Sequence, residues 1–509
     1  GEAWWNANTS GADDAFAKKE AAQNRLDAAL ADPEAFGRLK ALKDSGTVKD
    51  PLLARQLDVL YLQYLEKQVD PELLKKMTAK ANAIDKAFNV YRAKVDGKEL
   101  TDSEVRKVLK DSKLSAHRQA VWEASKGVGG VVEADLKELV KLRNEAARKL
   151  GFRNYHVMML HLNEQDQAEI LKLFDDLDAL TREPFRKAKA EIDAQLALKC
   201  SISVDELRPW HYQDPFFQEA PAIYSVNMDT VYAKADILDL CRRFYTGMDL
   251  PIDDVIARSD LYEKKGKSPH AFCTDIDREG DVRVLANIVP NEYWMGTMLH
   301  EFGHAVYDYY TDRTLPYLLR GPAHLLLTEA IAEMMGKLSK DPTWLMVYVG
   351  ASGEQAEAVR RAAAEEMRAR HLVATRWIVT LCRFEREAYR DPEQDLNGLW
   401  WRTVYQTQGI QPPDGRDAPD WAAKLHIALA PAYYQNYLLG EMAASQLVSA
   451  LRSGPLSEEA PEALVCSAKV GRWLRENLFE LGQTLPWEQA LRHATGSLLD
   501  PRHYAEQLV

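Results

Sequence analysis

Apolar residues three and four apart, with charged residues between them, run through most of this chain. The stretches AFAKKEAAQNRLDAALA, DPLLARQLDVLYLQYLEKQV, VVEADLKELVKLRNEAARKLGF and DQAEILKLFDDLDALTREPFRKAKAEIDAQLA all keep that period, which gathers the apolar side chains on one face of a helix. The spacing predicts a mainly α-helical protein. Gly, Pro, Asp and Ser cluster at GVGG (Gly127 to Gly130), KKGKSPH, RDPEQD and GIQPPDGRDAPD, and such clusters predict breaks. None is long enough to serve as a flexible linker between domains. The texture changes only in AFCTDIDREGDVRVLANIV, Ala271 to Val289, where a polar turn with Gly280 separates two short alternating stretches. That pattern predicts a small β-hairpin. No fixed-period repeat interrupts the helical reading.

Composition narrows the class. With 509 residues, 46% hydrophobic and 28% charged, the chain can bury a large core, and the expectation is one domain over 1–509 built as two helical lobes around a deep central cleft. The formal charge is -12, with Lys and Arg dispersed, which argues against a nucleic-acid partner. No apolar run approaches the roughly 20 residues needed to span a bilayer. The five cysteines are scattered and show no C-x-x-C spacing, so neither a disulfide framework nor a cysteine zinc site is expected. The first residue is Gly, and a processed or trimmed N-terminus is expected. No feature sets an oligomeric state.

The chemistry gathers in GTMLHEFGHAVYDYY, Gly296 to Tyr310. On a helix, His300 and His304 are one turn apart and share a face, with Glu301 beside them. Burying two imidazoles and a carboxylate without partners is costly, and a single zinc ion satisfies all three. Catalytic zinc takes a third protein ligand and keeps one position open. Downstream, RGPAHLLLTEAIAEMMGKL starts at a Gly-Pro break and reads as a second helix. Glu329 on it is the predicted third ligand. Glu333, one turn later, is placed to accept the outward N–H of a ligand histidine.

These motifs resemble the angiotensin-converting enzyme family of peptidyl-dipeptidases, in its single-domain, bacterial form. LHEFGHAVYDYY is followed by Leu315-Pro316, Arg320-Gly321 and EAIAEMM in the family's order. Trp5, Asn8 and Thr9 match its W-x-x-N-T, NEAARKLGF its N-E-A helix, and His270-Ala271 its His-Ala strand. QGIQPP, Lys424 to His426 (KLH) and YQNYLLGEMAASQLVSAL follow in turn. The resemblance implies a two-lobed helical metallopeptidase with one zinc per chain on His300, His304 and Glu329. It implies Glu301 as general base, Tyr437 as donor to the oxyanion and His426 as a second donor to substrate. His270 and Ala271 would hold the peptide backbone as an added strand, and Lys424 and Tyr434 the C-terminal carboxylate. Short peptides would be the substrates, dipeptides the products, and the location secreted or periplasmic.

Two departures stand out. The family's W-x-Q glutamine is replaced, since Tyr212 follows Trp210 at that spacing and Gln213 comes one residue late, which weakens the expectation of strict dipeptide release. Asn436 and Val404 occupy the places of the family's chloride-binding arginines, so chloride dependence is not supported. Two other readings stay open. One is a zinc oligopeptidase of the thimet or oligopeptidase F type, which shares H-E-F-G-H-A. The other is an inactive peptide-binding homologue.

Overall fold

The structure, a computed structural model, describes residues 1–221, 223, 228–459 and 463–508. It is mainly helical, and among the described residues the sheets are two antiparallel hairpins. The expected hairpin pairs Phe272–Asp275 with Val282–Leu285, Phe272 opposite Leu285 and Asp275 opposite Val282. Val282 and Val284 are fully buried while Arg283 between them pairs with Asp281 at the surface, the alternation of a strand with one covered face. A second hairpin, Ala93–Val95 with Lys98–Leu100, falls where no strand was read. Asp96 and Gly97 at its tip both take positive φ, 50° and 78°, as a two-residue hairpin turn requires, and Asp-Gly was its signal.

GVGG is not a break. Helix Ser115–Lys149 runs straight through it, carrying Val121, Trp122, Val132, Leu136 and Leu139 into the core. A Cβ on Gly129 would stand 2.3 Å from the carbonyl oxygen of Pro419. The glycine therefore marks where another backbone packs against the helix, and the burial of its neighbours outweighs the roughly 1 kcal/mol each glycine costs a helix.

The chain divides into two compact units, neither continuous in sequence. One comprises Gly1–Gln68, Ser225–Ala364 and Leu439–Tyr504. Its core forms around helix Glu292–Tyr309, whose Met295, Met298, Leu299, Phe302, Ala305 and Val306 are fully buried. The other comprises Val69–Tyr224, Glu365–Leu438 and Ala505–Val509. In it, Trp122 anchors a cluster with Leu109, Val121 and Trp210. Among the described residues no helix is long and apolar enough to cross a membrane.

Candidate metal centre

Helix Glu292–Tyr309, the motif helix, starts where the Asn291 side chain accepts the Trp294 N–H at 2.9 Å. Helix Leu325–Gly336, the ligand helix, starts at His324, whose Nδ1 accepts the Leu326 N–H. Small residues set how closely the two pack. A Cβ on Gly303 would lie 2.8 Å from the Ala332 Cα, and one on Gly336 would lie 3.2 Å from the His300 Cβ. This close crossing brings Glu329 to the two imidazoles.

His300 Nε2 and His304 Nε2 are 3.2 Å apart. Glu329 Oε2 is 3.7 Å from the first and its Oε1 is 3.9 Å from the second. Two nitrogens on one tetrahedral zinc, each about 2.0 to 2.1 Å from it, stand roughly 3.3 Å apart. One ligand atom from each of the three residues lies within 4.8 Å of the others, so the donor set and its spacing fit zinc. The outward nitrogens are also engaged. His304 Nδ1 meets Thr328 Oγ1 at 2.8 Å, which directs the Nε2 lone pair inward. His300 Nδ1 faces Glu333 Oε1 at 3.8 Å.

Burial shapes the charges here. It lowers His300 to about 4 and, helped by His300, His304 to about 3, leaving both imidazoles neutral with lone pairs to give. Burial first, then Glu329, pushes Glu301 up to about 8, while the backbone N–H of Cys273 favours its ionised form. Glu329 is also raised, by burial and then by Glu441. Among the described residues no lysine or arginine pairs with Glu301 or Glu329. Two neutral imidazoles and two crowded carboxyls form a site short of positive charge, which suits a divalent cation.

His300, His304, Glu329 and Glu301 line a cavity of about 540 Å³ with Ala271, Phe272, Cys273 and Asp308. Neither His270 nor Ala271 belongs to a strand, which corrects the sequence reading. The strand begins at Phe272, and His270 is exposed in a bend before it. The opposite strand ends at Leu285 because the following residues turn to pair elsewhere, Ala286 N–H with Asp260 and Ile288 N–H with Leu261. Among the described residues no ladder partner is left for the two.

The other predicted residues cluster in the second unit. Lys424 is buried, and its ammonium donates to Gln218 Oε1 at 2.7 Å. Trp377 and Tyr434 flank it, with ring centroids 5.1 and 5.4 Å from Nζ. The Tyr434 ring lies 5.1 Å from that of His426 and 5.4 Å from that of Tyr437, which is 45% exposed. Tyr437 is in the first turn of helix Gln435–Ser453.

The family model described as angiotensin-converting enzyme matches residues 1–184, and that of peptidase family M3 matches residues 256–509. Angiotensin-converting enzyme of Theromyzon tessulatum is 24% identical over 240 residues, 45% of this chain and 38% of the relative. The two matches and this relative support a likeness to the angiotensin-converting enzyme family. Both matched families are metallopeptidases and are zinc-dependent. The aligned stretch spans well under half the length of its angiotensin-converting enzyme relative.

Against the family pattern, Tyr212 serves as structure. It is buried, donates its hydroxyl to Asp193 at 2.9 Å and accepts from Lys189 at 3.0 Å. The glutamine beside Lys424 is Gln218, further along the same loop. Sequence spacing missed it because the residue was sought two positions after Trp210. Thr328 was missed too, since its alignment with His304 depends on the helix crossing. Asn436 and Val404 are both buried, and Asn436 Oδ1 accepts from Gln165 at 2.7 Å.

Proposed function

We propose that this metallopeptidase hydrolyses short peptides near a free C-terminus, most readily releasing dipeptides. One observation carries the end-directed part of the reading. Lys424 is a buried ammonium bonded to a neutral glutamine, and it lines a cavity of about 600 Å³. Burying an ammonium without a counter-charge is expensive, and a carboxylate entering the cavity offsets that cost.

In this reading His300, His304 and Glu329 hold one zinc ion per chain, with Thr328 and Glu333 orienting the imidazoles. When bound, zinc acidifies water and polarises the scissile carbonyl. Glu301 accepts the proton of the attacking water and passes it to the leaving amine. The Cys273 N–H holds that carboxylate in place. The Tyr437 phenol donates to the carbonyl oxygen as negative charge develops there, and His426 is the second donor. His270 and Ala271 contact the peptide backbone ahead of the hairpin. Lys424, Tyr434 and Gln218 clamp the terminal carboxylate. Residues 1–509 act as one catalytic domain, without need of chloride, in a secreted or periplasmic location.

The test is mass spectrometry of the products from one decapeptide, as free acid and as C-terminal amide. Dipeptides from the acid, with the amide cut ten- to a hundredfold more slowly, are expected from the loss of one charge-assisted hydrogen bond. The match of residues 256–509 to peptidase family M3 favours a second reading, an endo-acting oligopeptidase of the thimet or oligopeptidase F type. Internal fragments appearing first, at equal rates from acid and amide, select that reading. Absence of turnover on any peptide by zinc-loaded protein leaves the peptide-binding homologue.

A further inference from the structure

Lys126 is a second buried cation in the cavity that holds Lys424. It lies on helix Ser115–Lys149, is 3% exposed and lines the same space. Its ammonium sits over the ring of Phe216, 3.1 Å from the centroid, with Trp122 at 5.2 Å. Lys424 flanks the same Phe216 ring at 5.5 Å. Both ammoniums therefore border the ring of Phe216, and both residues line the cavity.

No carboxylate among the described residues pairs with Lys126. The two nearest acids are occupied. Asp214 accepts the backbone N–H groups of Phe216, Gln218 and Glu219 at 2.8, 2.8 and 3.1 Å. Asp420 is held by Arg416 at 2.8 Å and by the Trp401 indole at 3.2 Å. Asp102 and Arg106, which also line the cavity, pair with each other at 3.2 Å. Two ring faces do not match the hydration that an ammonium loses on burial. Burial lowers the Lys126 amine to about 7 against the opposing pull of Asp420 and Asp214, so an anion arriving in the cavity would hold it in its charged form.

We propose that Lys126 is a specificity-determining residue that binds the side-chain carboxylate of a C-terminal glutamate or aspartate, while Lys424 holds the α-carboxylate of the same residue. The inference rests on the C-terminal clamp proposed above and adds a preference for acidic C-terminal residues. A dicarboxylate end residue matches two ammoniums that share the Phe216 ring. A neutral end residue would satisfy one and leave the other unpaired.

The experiment compares kcat/KM for two free-acid peptides that differ only in ending with Glu or Gln, in the zinc-loaded wild type, Lys126→Met and Lys126→Arg. Wild type should favour Glu by about ten- to a hundredfold, the size of one charge-assisted hydrogen bond. Lys126→Met should bring the ratio to about one, and Lys126→Arg should retain part of it. A wild-type ratio near one overturns the inference, and so does a large ratio that survives Lys126→Met. Wild-type selectivity alone is decisive if a variant fails to fold. The Glu-ending peptide as its C-terminal α-amide separates the two proposals. A slower amide with a Glu-to-Gln ratio of one keeps the clamp and removes the role of Lys126. Equal rates for acid and amide remove the clamp and, with it, the inference.

Discussion

Gly303 in the motif helix faces Ala332 in the ligand helix so closely that a Cβ on the glycine would stand 2.8 Å from the alanine Cα. The obstructing atom is backbone, so a side chain there has to push one helix away. Gly303→Ala should therefore cost about 1 to 3 kcal/mol of stability and weaken zinc binding together. Gly130, exposed on its own helix with nothing within 4 Å, should show the opposite sign, a gain of about 0.5 to 1 kcal/mol on substitution by Ala. Urea unfolding of both variants checks the pair. Equal effects would mean that the crossing tolerates a methyl group.

Metal binding is expected at one zinc per chain, lost in His304→Ala. Thr328→Val keeps the side-chain shape but removes the partner of His304 Nδ1, and should lower zinc affinity roughly ten- to a hundredfold. Metal analysis and chelator competition measure both. Equal zinc in wild type and His304→Ala would refute the ligand set.

Glu301→Gln should retain zinc and bind peptide but lose turnover, because an amide cannot accept the proton. Tyr437→Phe should lower kcat by about 10² to 10³ with little change in KM, the usual effect of deleting one oxyanion donor. Steady-state kinetics on the free-acid decapeptide separates the two effects.

Stability should fall as pH rises from about 4.5 toward 8 in part because of Glu385. That carboxyl is buried in the second unit, and burial pushes it up to about 8 against the opposing Ala432 N–H and Arg143. Between the unfolded value and 8 the unfolded chain has released this proton and the folded chain has not, so the native state binds more protons and loses stability with rising pH. Below about 4.5 both states are protonated and the effect vanishes. Urea unfolding at pH 5 and pH 8 should show a smaller drop for Glu385→Gln than for wild type. An identical drop would place the dependence elsewhere.

Chloride should leave activity unchanged at constant ionic strength. Asn436 is buried against Gln165 and Val404 is apolar and buried, where family members that bind the anion carry arginines. Assays in acetate and chloride are the comparison, and a several-fold activation specific to chloride would show the anion sites to be elsewhere.

Some of this was legible in one dimension because the determinants are local. His300 and His304 share a face through helical spacing alone with Glu301 beside them, Gly280 and the alternation around it mark a hairpin, and the Gly-Pro break foretells a new helix before Glu329. Where a glycine served tertiary contact, the local rule failed. Gly129 looks like a break until Pro419 is seen against it. His270 and Ala271 continue the strand pattern in sequence but have no ladder partner among the described residues, since the chain after Leu285 pairs with Asp260 and Leu261.

The sequence by itself determined the helical class, the candidate metal-binding side chains and the family resemblance, since each depends on residue type and on spacing within one turn or one hairpin. Tertiary structure decided the rest. How near Glu329 comes to the imidazoles depends on a helix crossing set by Gly303 and Gly336, that Gln218 rather than Gln213 meets Lys424 depends on the path of a loop, and the unpaired state of Lys126 depends on Asp214 and Asp420 being spent on other partners. Electrostatics and packing act through space, and the distances that govern them are fixed only when distant segments of the chain are brought together.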